Sequence, residues 1–363
     1  MDIMRLLAII STGLFLLIIC LMLIGQFFEF RIKKNTYSLL AILFTLVIAF
    51  MAYSSYYGNG GDIKRYYDIM RGMEGKSFAW AHENGFYKNT ILTNFLFWAI
   101  AQTGNYQLLP MFASSFTTIA SFYIISREQR ITNVSSCAIC VYFLQIFAVA
   151  TLAAILSGVR QTMAVSLFAV AVYRDFIEKK KNILTIICYL LTCTLHVATL
   201  FFLLIRLCAF VKGKMKWIFL LWGLLIPLLE KYSESEGLFG EAIDKLFLYQ
   251  DIETLDIRFI LARLAILCLL YYMIIKLKQK NHNDRYLNFL EVFIVFSFGS
   301  IFVQHLFSRQ MTALVHISFP LLVRYYNACS KNRWEMVQAI NTFLCLGLFA
   351  YQVVFAINYW QFI

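Results

Sequence analysis

Leu6-Leu-Ala-Ile-Ile-Ser-Thr-Gly-Leu-Phe-Leu-Leu-Ile-Ile-Cys-Leu-Met-Leu-Ile-Gly-Gln-Phe-Phe28 runs without a single charge. A helix rises about 1.5 Å per residue, and roughly 20 apolar residues cross a hydrocarbon core of about 30 Å. A signal-peptide core is shorter, at about 7–15 residues, and ends at a small-residue cleavage site that this stretch lacks. It therefore reads as a membrane span.

Comparable runs recur over 37–53, 107–125, 133–153, 161–177, 183–210, 217–230, 258–275, 287–303, 311–326 and 336–357. Of the 363 residues, 61% are hydrophobic and 14% charged. Soluble domains sit near 45–50% and about 25%, so a soluble globular enzyme is excluded. No polar block is long enough for a second domain. The reading is one integral membrane domain over 1–363, all-α and polytopic, with about eleven or twelve transmembrane or re-entrant helices. Most of the nine cysteines fall inside apolar runs, as small buried hydrophobes do.

The net charge of +12 is first an orientation signal. Lys and Arg concentrate in Arg31-Ile-Lys-Lys34, Arg127 to Arg130, Arg174 to Lys181, Lys212 to Lys216, Lys276 to Arg285 and Lys331 to Arg333. Scattered over short loops, they do not form a nucleic-acid surface. Placing them in the cytoplasm puts 54–88, 150–160, 231–257 and 304–310 outside; 231–257 is rich in Asp and Glu. Two stretches break the simple alternation. The apolar part of 89–104 is too short to cross and reads as a re-entrant or interfacial element. The run 183–210 is bounded by cationic loops at both ends, which predicts a hairpin of two short helices turning near His196.

Against this frame stand Ser157-Gly-Val-Arg160-Gln161 and His305-Leu-Phe-Ser-Arg309-Gln310. An arginine at membrane depth costs about 2.5–3.5 kcal/mol on insertion scales and by default marks a functional site. Guanidinium matches phosphate through paired hydrogen bonds. The bland alternative is a snorkelling anchor at a span end. Loop charge puts both arginines on the outside with Asp62, Glu83 and His196. Tyr56-Tyr-Gly-Asn-Gly-Gly-Asp62-Ile-Lys-Arg65-Tyr66-Tyr-Asp68 predicts a sharp turn and a short helix carrying Asp62, Arg65 and Tyr66 on one face. Asp62 would also serve there as a helix N-cap. Glu83, in His82-Glu-Asn-Gly-Phe-Tyr87, precedes the short element, where a carboxylate can act as general base. No phosphate-binding Gly-rich loop, nucleophile elbow, zinc-type histidine pair or dinucleotide fingerprint is present, which argues against ATP-driven chemistry in this chain.

The order of these elements resembles a known family. Gly-Asn-Gly-Gly-Asp62-Ile-Lys-Arg-Tyr66 looks like a G-x-D-x-x-x-Y element, and Glu83-Asn-Gly-Phe86 is similar to an E-P/x-G-F element. Asn105 falls where a short turn element is usual, Arg160-Gln161-x-x-Ala164 looks like R-Q-x-x-A, and Leu195-His196-Val-Ala198 looks like F-H-x-S/A. These are features of the EpsG-like group of Wzy-type polysaccharide polymerases, and they cover roughly residues 1–210. Asn84 replaces the family's proline and Leu195 its phenylalanine; neither change removes a polar group.

The resemblance implies an architecture like C-type glycosyltransferases. It also implies polymerisation of undecaprenyl-diphosphate-linked oligosaccharide repeat units at the outer face of a bacterial cytoplasmic membrane, alongside flippase and chain-length-regulator partners. Arg160, Arg309 and Arg65 would face the diphosphate, with Gln161 and His305 beside them. Asp62, Glu83 or His196 would take the proton from the attacking hydroxyl, and Tyr66 and Tyr67 would contact sugar. No cofactor and no metal is expected. A flippase for the same lipid-linked glycan is the alternative.

Overall fold

The computed structural model describes residues 3–28, 34–57, 62–85, 90–150, 155, 158–211, 213–221, 257–279, 284–301, 303–329 and 331–362. These residues are helical nearly throughout. The helices are α1 (Ile3–Gly25), α2 (Lys34–Ser54), α3 (Asp62–Met73), α4 (Phe78–Glu83), α5 (Ile91–Ala101), α6 (Leu108–Glu128), α7 (Ser136–Val149) and α8 (Val159–Val172). They continue with α9 (Ile183–Leu195), α10 (Leu200–Leu207), α11 (Ile257–Lys278), α12 (Arg285–Gly299), α13 (Gln304–Ile317), α14 (Phe319–Ala328) and α15 (Lys331–Tyr359). A short antiparallel pair, β1 (Ser55–Tyr57) with β2 (Trp360–Phe362), joins the end of α2 to the end of α15.

Among the described residues, Leu6–Gly25, Tyr37–Ser54, Leu108–Glu128 and Ile260–Lys278 are long and apolar enough to cross a membrane. Leu306–Ile317 with Phe319–Ala328 makes a fifth such segment, bent by 55°. The bend falls where Pro320 lacks a backbone donor for continuing the helix. The result is an all-α polytopic membrane protein.

Helix α7 shows how the bundle is held. It is largely apolar and buried over most of Ser136 to Val149, packed by α1, α13, α14 and α15, as expected of a core helix. Lipid gives no hydrophobic drive for helix association, so shape complementarity must do it. Phe15 of α1 meets Phe147 edge-on at 5.2 Å, while Phe44 of α2 and Phe122 of α6 lie 5.0 and 5.1 Å from Phe143. Where α6 is buried it carries Ser114, Thr117, Thr118 and Ser121. Their hydroxyls are satisfied within the helix, Thr117 on Ala113 O and Ser121 on Thr117 O at 3.0 Å each. Outward, α1 and α2 present Leu14, Leu17, Leu21, Leu40, Ile42 and Leu43, a surface suited to acyl chains.

Among the described residues, four of the cationic loops gather at one end. Arg127 and Lys180 flank Glu178 at 3.6 and 3.2 Å, Tyr173 Oη donates to Glu128, Lys216 and Lys278 share Glu291, and Arg324 meets Asp284 at 2.6 Å. The same end proves the hairpin. Arg174 at the foot of α8 donates to Asn182 at the start of α9, and Arg206 near the end of α10 pairs with Asp175 at 2.5 Å. Asp175 also accepts from Tyr189 of α9. The chain therefore leaves this end along α9, turns at His196 and returns along α10, as the flanking charges predict.

Two expectations change. Residues 304–310 are not a loop but the first turns of α13. Leu306, Phe307, Met311 and Leu314 recur at helical spacing and are all buried, a period that the polar residues between them mask. The 217–230 run begins inside a 3-10 segment, Gly213–Leu221; its remainder and the acidic stretch through 256 lie outside the described residues.

Candidate functional site around a short helix

Helix α5 is 11 residues long, about 16 Å at the helical rise, and too short to cross a bilayer. It is nonetheless the hub on which the sequence motifs converge. On one side it carries α3, with Tyr66 set against Phe97 at 5.1 Å between ring centroids and Met70 fully buried. Gln102 Nε2, just past the end of α5, donates to Met73 O at 3.0 Å, and Trp98 Nε1 to Lys76 O at 2.8 Å. Asn105 Nδ2 reaches Tyr53 Oη at 2.9 Å, which fixes the following turn to the end of α2.

On a second side α5 receives the Glu83-Asn-Gly85 segment. A Cβ built on Gly85 would sit 2.5 Å from Ala81 O and 3.2 Å from Asn94 Oδ1. Only glycine allows this approach, which explains the residue in the motif. Asn94 Nδ2 lies 3.3 Å from His82 Nδ1. Glu83 closes α4 and is exposed.

On a third side α5 meets the tip of the hairpin. Thr93 Oγ1 donates to Leu195 O at 2.8 Å, and the same oxygen accepts Arg160 Nε at 3.4 Å. One carbonyl thus joins α5, the start of α8 and the residue before His196. Arg160 is 4% exposed and second in α8, whose N-cap Gly158 offers no side-chain acceptor. A cation at a helix N-terminus opposes the helix dipole. Helix stability therefore gives no reason for this arginine, whereas bracing the hairpin tip does. The first-turn amides and the guanidinium together form an electropositive corner.

His196 has extended backbone angles (φ −152°, ψ 113°) between α9 and the 3-10 turn Val197–Thr199. Its Nδ1 accepts the Ala198 backbone N–H at 3.2 Å. An amide only donates, so Nδ1 is unprotonated and the ring proton of the neutral side chain sits on Nε2. In this tautomer the Nδ1 lone pair of His196 is engaged and Nε2 carries the donor proton.

The remaining predicted residues are placed less uniformly. Asp62 opens α3 and pairs with Arg65 at 2.6 Å in an exposed i,i+3 ion pair, the kind worth about 0–1 kcal/mol. Tyr66 is 4% exposed, so its ring is a packing element, while Tyr67 Oη donates to Gln107 Oε1 at 2.7 Å. Burial raises the Tyr67 phenol pKa and keeps it a donor. Gln161 is half-buried beside Arg160. Arg309 lies inside α13, half-buried, and joins the group through the packing of α13 on α8. His305 falls in the first turn of α13, with its side chain outside the described set.

Sequence reasoning missed Arg263. It sits within the apolar α11, is 3% exposed, and donates from Nη2 to Val149 O at 2.7 Å. Its signal was a lone arginine in mid-span, the same anomaly that marked Arg160. Gln145 of α7 and Asn341 of α15, bonded at 2.9 Å and fully buried, were missed as well. Cys137 and Cys140 have a Cys-x-x-Cys spacing, but neither forms a disulfide. Among the described residues no three His, Cys, Asp or Glu side chains gather as a metal would require.

The model of the EpsG family, a Wzy-like polysaccharide polymerase family, matches residues 38–363. No curated protein and no solved structure matches the chain.

Proposed function

Because this chain belongs to the EpsG family, which implies a polysaccharide polymerase-type function, we propose that it joins lipid-diphosphate-linked oligosaccharide repeat units. In this reading the reaction takes place at the outer face of a bacterial cytoplasmic membrane. The observation that carries the proposal is the convergence of α3, the Glu83–Gly85 segment, Arg160 and the His196 tip on α5.

Glycosyl transfer from a lipid diphosphate needs three services. The departing diphosphate develops negative charge, and Arg160 with the α8 N-terminus is the preorganised electropositive element to meet it; Arg309 on the adjacent α13 is the second candidate. The attacking hydroxyl must lose a proton, and an exposed carboxylate can take it at Asp62 or Glu83. His196, with Nδ1 engaged, instead orients a hydroxyl or phosphate oxygen through Nε2–H. Undecaprenyl diphosphate is the proposed carrier, the acyl-facing surface of α1 and α2 its surroundings, and a flippase and a chain-length regulator its functional partners. The chemistry assigned to these residues calls for no cofactor.

The test is genetic and reads chain length. The gene is removed, then wild type or Arg160→Ala is restored and surface glycan is resolved by size. Wild type restores a ladder and Arg160→Ala leaves single repeats. Complete absence of surface glycan on deletion identifies a flippase, and an unchanged ladder on deletion overturns the polymerase reading.

A further inference from the structure

A cavity of about 1070 Å³ opens at the end of the bundle opposite the His196 tip. Its walls come from the foot of α8, the end of α10, the start of α12 and α14. Five cations line it (Lys179, Lys181, Arg206, Arg285 and Arg324) against two carboxylates, Asp175 and Asp284, an excess of three positive charges.

Both carboxylates are already engaged. Asp175 holds Arg206 at 2.5 Å and accepts from Tyr189. Asp284 holds Arg324 at 2.6 Å and caps α12 through the Tyr286 and Leu287 amides at 2.8 and 3.1 Å. The two arginines are set alike, since Arg206 also lies 4.7 Å over the Phe176 ring and Arg324 5.3 Å over Tyr286. Each guanidinium is thus fixed by an acid and an aromatic ring, with several of its five N–H groups left over. Lys179, Lys181 and Arg285 are exposed and have no ion-pair partner among the described residues.

The backbone supports the same reading. Tyr173–Ile177 is a π-helix, a form that favours functional sites. It is closed by Lys180 N–H on Arg174 O at 2.8 Å, with Lys179 at φ 57°, the one positive-φ non-glycine residue among those described. Glycine would take that conformation without strain. A lysine there carries strain and places an ammonium group on the cavity wall.

We propose that this cavity binds a phosphate-bearing anion, taken either from an anionic lipid headgroup or from a soluble phosphate compound. Ordinary solvated loop cations do not predict two acid-and-ring-clamped arginines facing one cavity, whereas basic pockets between membrane helices do hold phosphate headgroups.

The full-length protein in neutral detergent tests it, by equilibrium binding of inorganic pyrophosphate in one arm and of phosphatidylglycerol against phosphatidylcholine in the other, all at fixed ionic strength. At least one phosphate probe binds the wild type. Combined Lys179→Gln, Lys181→Gln and Arg285→Gln weakens it at least tenfold, and the charge-keeping Lys179→Arg, Lys181→Arg and Arg285→Lys combination stays within threefold. Selective retention of phosphatidylglycerol identifies the headgroup as the source, and pyrophosphate binding without it identifies a soluble ligand. Binding of neither probe, or equal binding by the Gln and the charge-keeping variants, overturns the proposal.

Discussion

Leu195 contributes only a carbonyl oxygen, yet Thr93 and Arg160 both spend a donor on it. A hydrogen bond of this kind contributes about 0.5–1.5 kcal/mol when neutral and about 1.5–3 when one partner is charged. Thr93→Val keeps the shape and removes one donor, and we expect a loss of about 1 kcal/mol, read as a drop of a few degrees in thermal midpoint, with polymer length shortened rather than abolished. An unchanged midpoint would remove Thr93 from the brace. Gly85 permits a sharper test. The 2.5 Å approach to Ala81 O leaves no room for a methyl group, so Gly85→Ala should cost about 1–3 kcal/mol as overpacking does and displace Glu83. Full activity with an unshifted midpoint would contradict the docking of this segment on α5. At this scale the sequence showed Arg160 by its burial cost and His196 by its place in an apolar run. It did not show that Nδ1 of His196 is engaged, because that depends on the Ala198 amide folding back in a 3-10 turn.

Among elements, the hairpin was legible because cations bounded a run too long for one crossing and too short for two full ones, and α5 because its apolar run fell short of a span. The first turns of α13 were not, since Gln304, His305, Ser308 and Arg309 dilute the hydropathy of a segment whose buried residues follow helical spacing. Arg263 was hidden for the opposite reason, as one charge hardly lowers the average of α11. The hairpin makes a direct prediction. Cysteines placed singly at Lys181 and Phe210, both exposed, react with a membrane-impermeant thiol reagent from the same side, and one placed at Glu83 reacts from the other. Labelling of 181 and 210 from opposite sides would mean that the run crosses only once.

At the scale of the molecule, the charges of the described residues separate into two ends. One collects the ion-paired loops and the cationic cavity, and the other the α5 hub with its arginine, histidine and exposed carboxylates. The loop cations predicted that division from sequence, and the Asp175–Arg206 and Asp284–Arg324 pairs realise one half of it in space. The division suits an enzyme that works on a lipid-borne substrate from one side. The most direct measurement of that claim uses the purified chain in a bilayer with a synthetic lipid-diphosphate-linked repeat unit and resolves product length over time. Wild type should build a ladder of repeats, and at least one of Asp62→Asn and Glu83→Gln should slow its growth about 100-fold or more, the usual share of a general base. A wild type that leaves only single repeats, or carboxamide variants that both extend chains at the wild-type rate, would contradict the account.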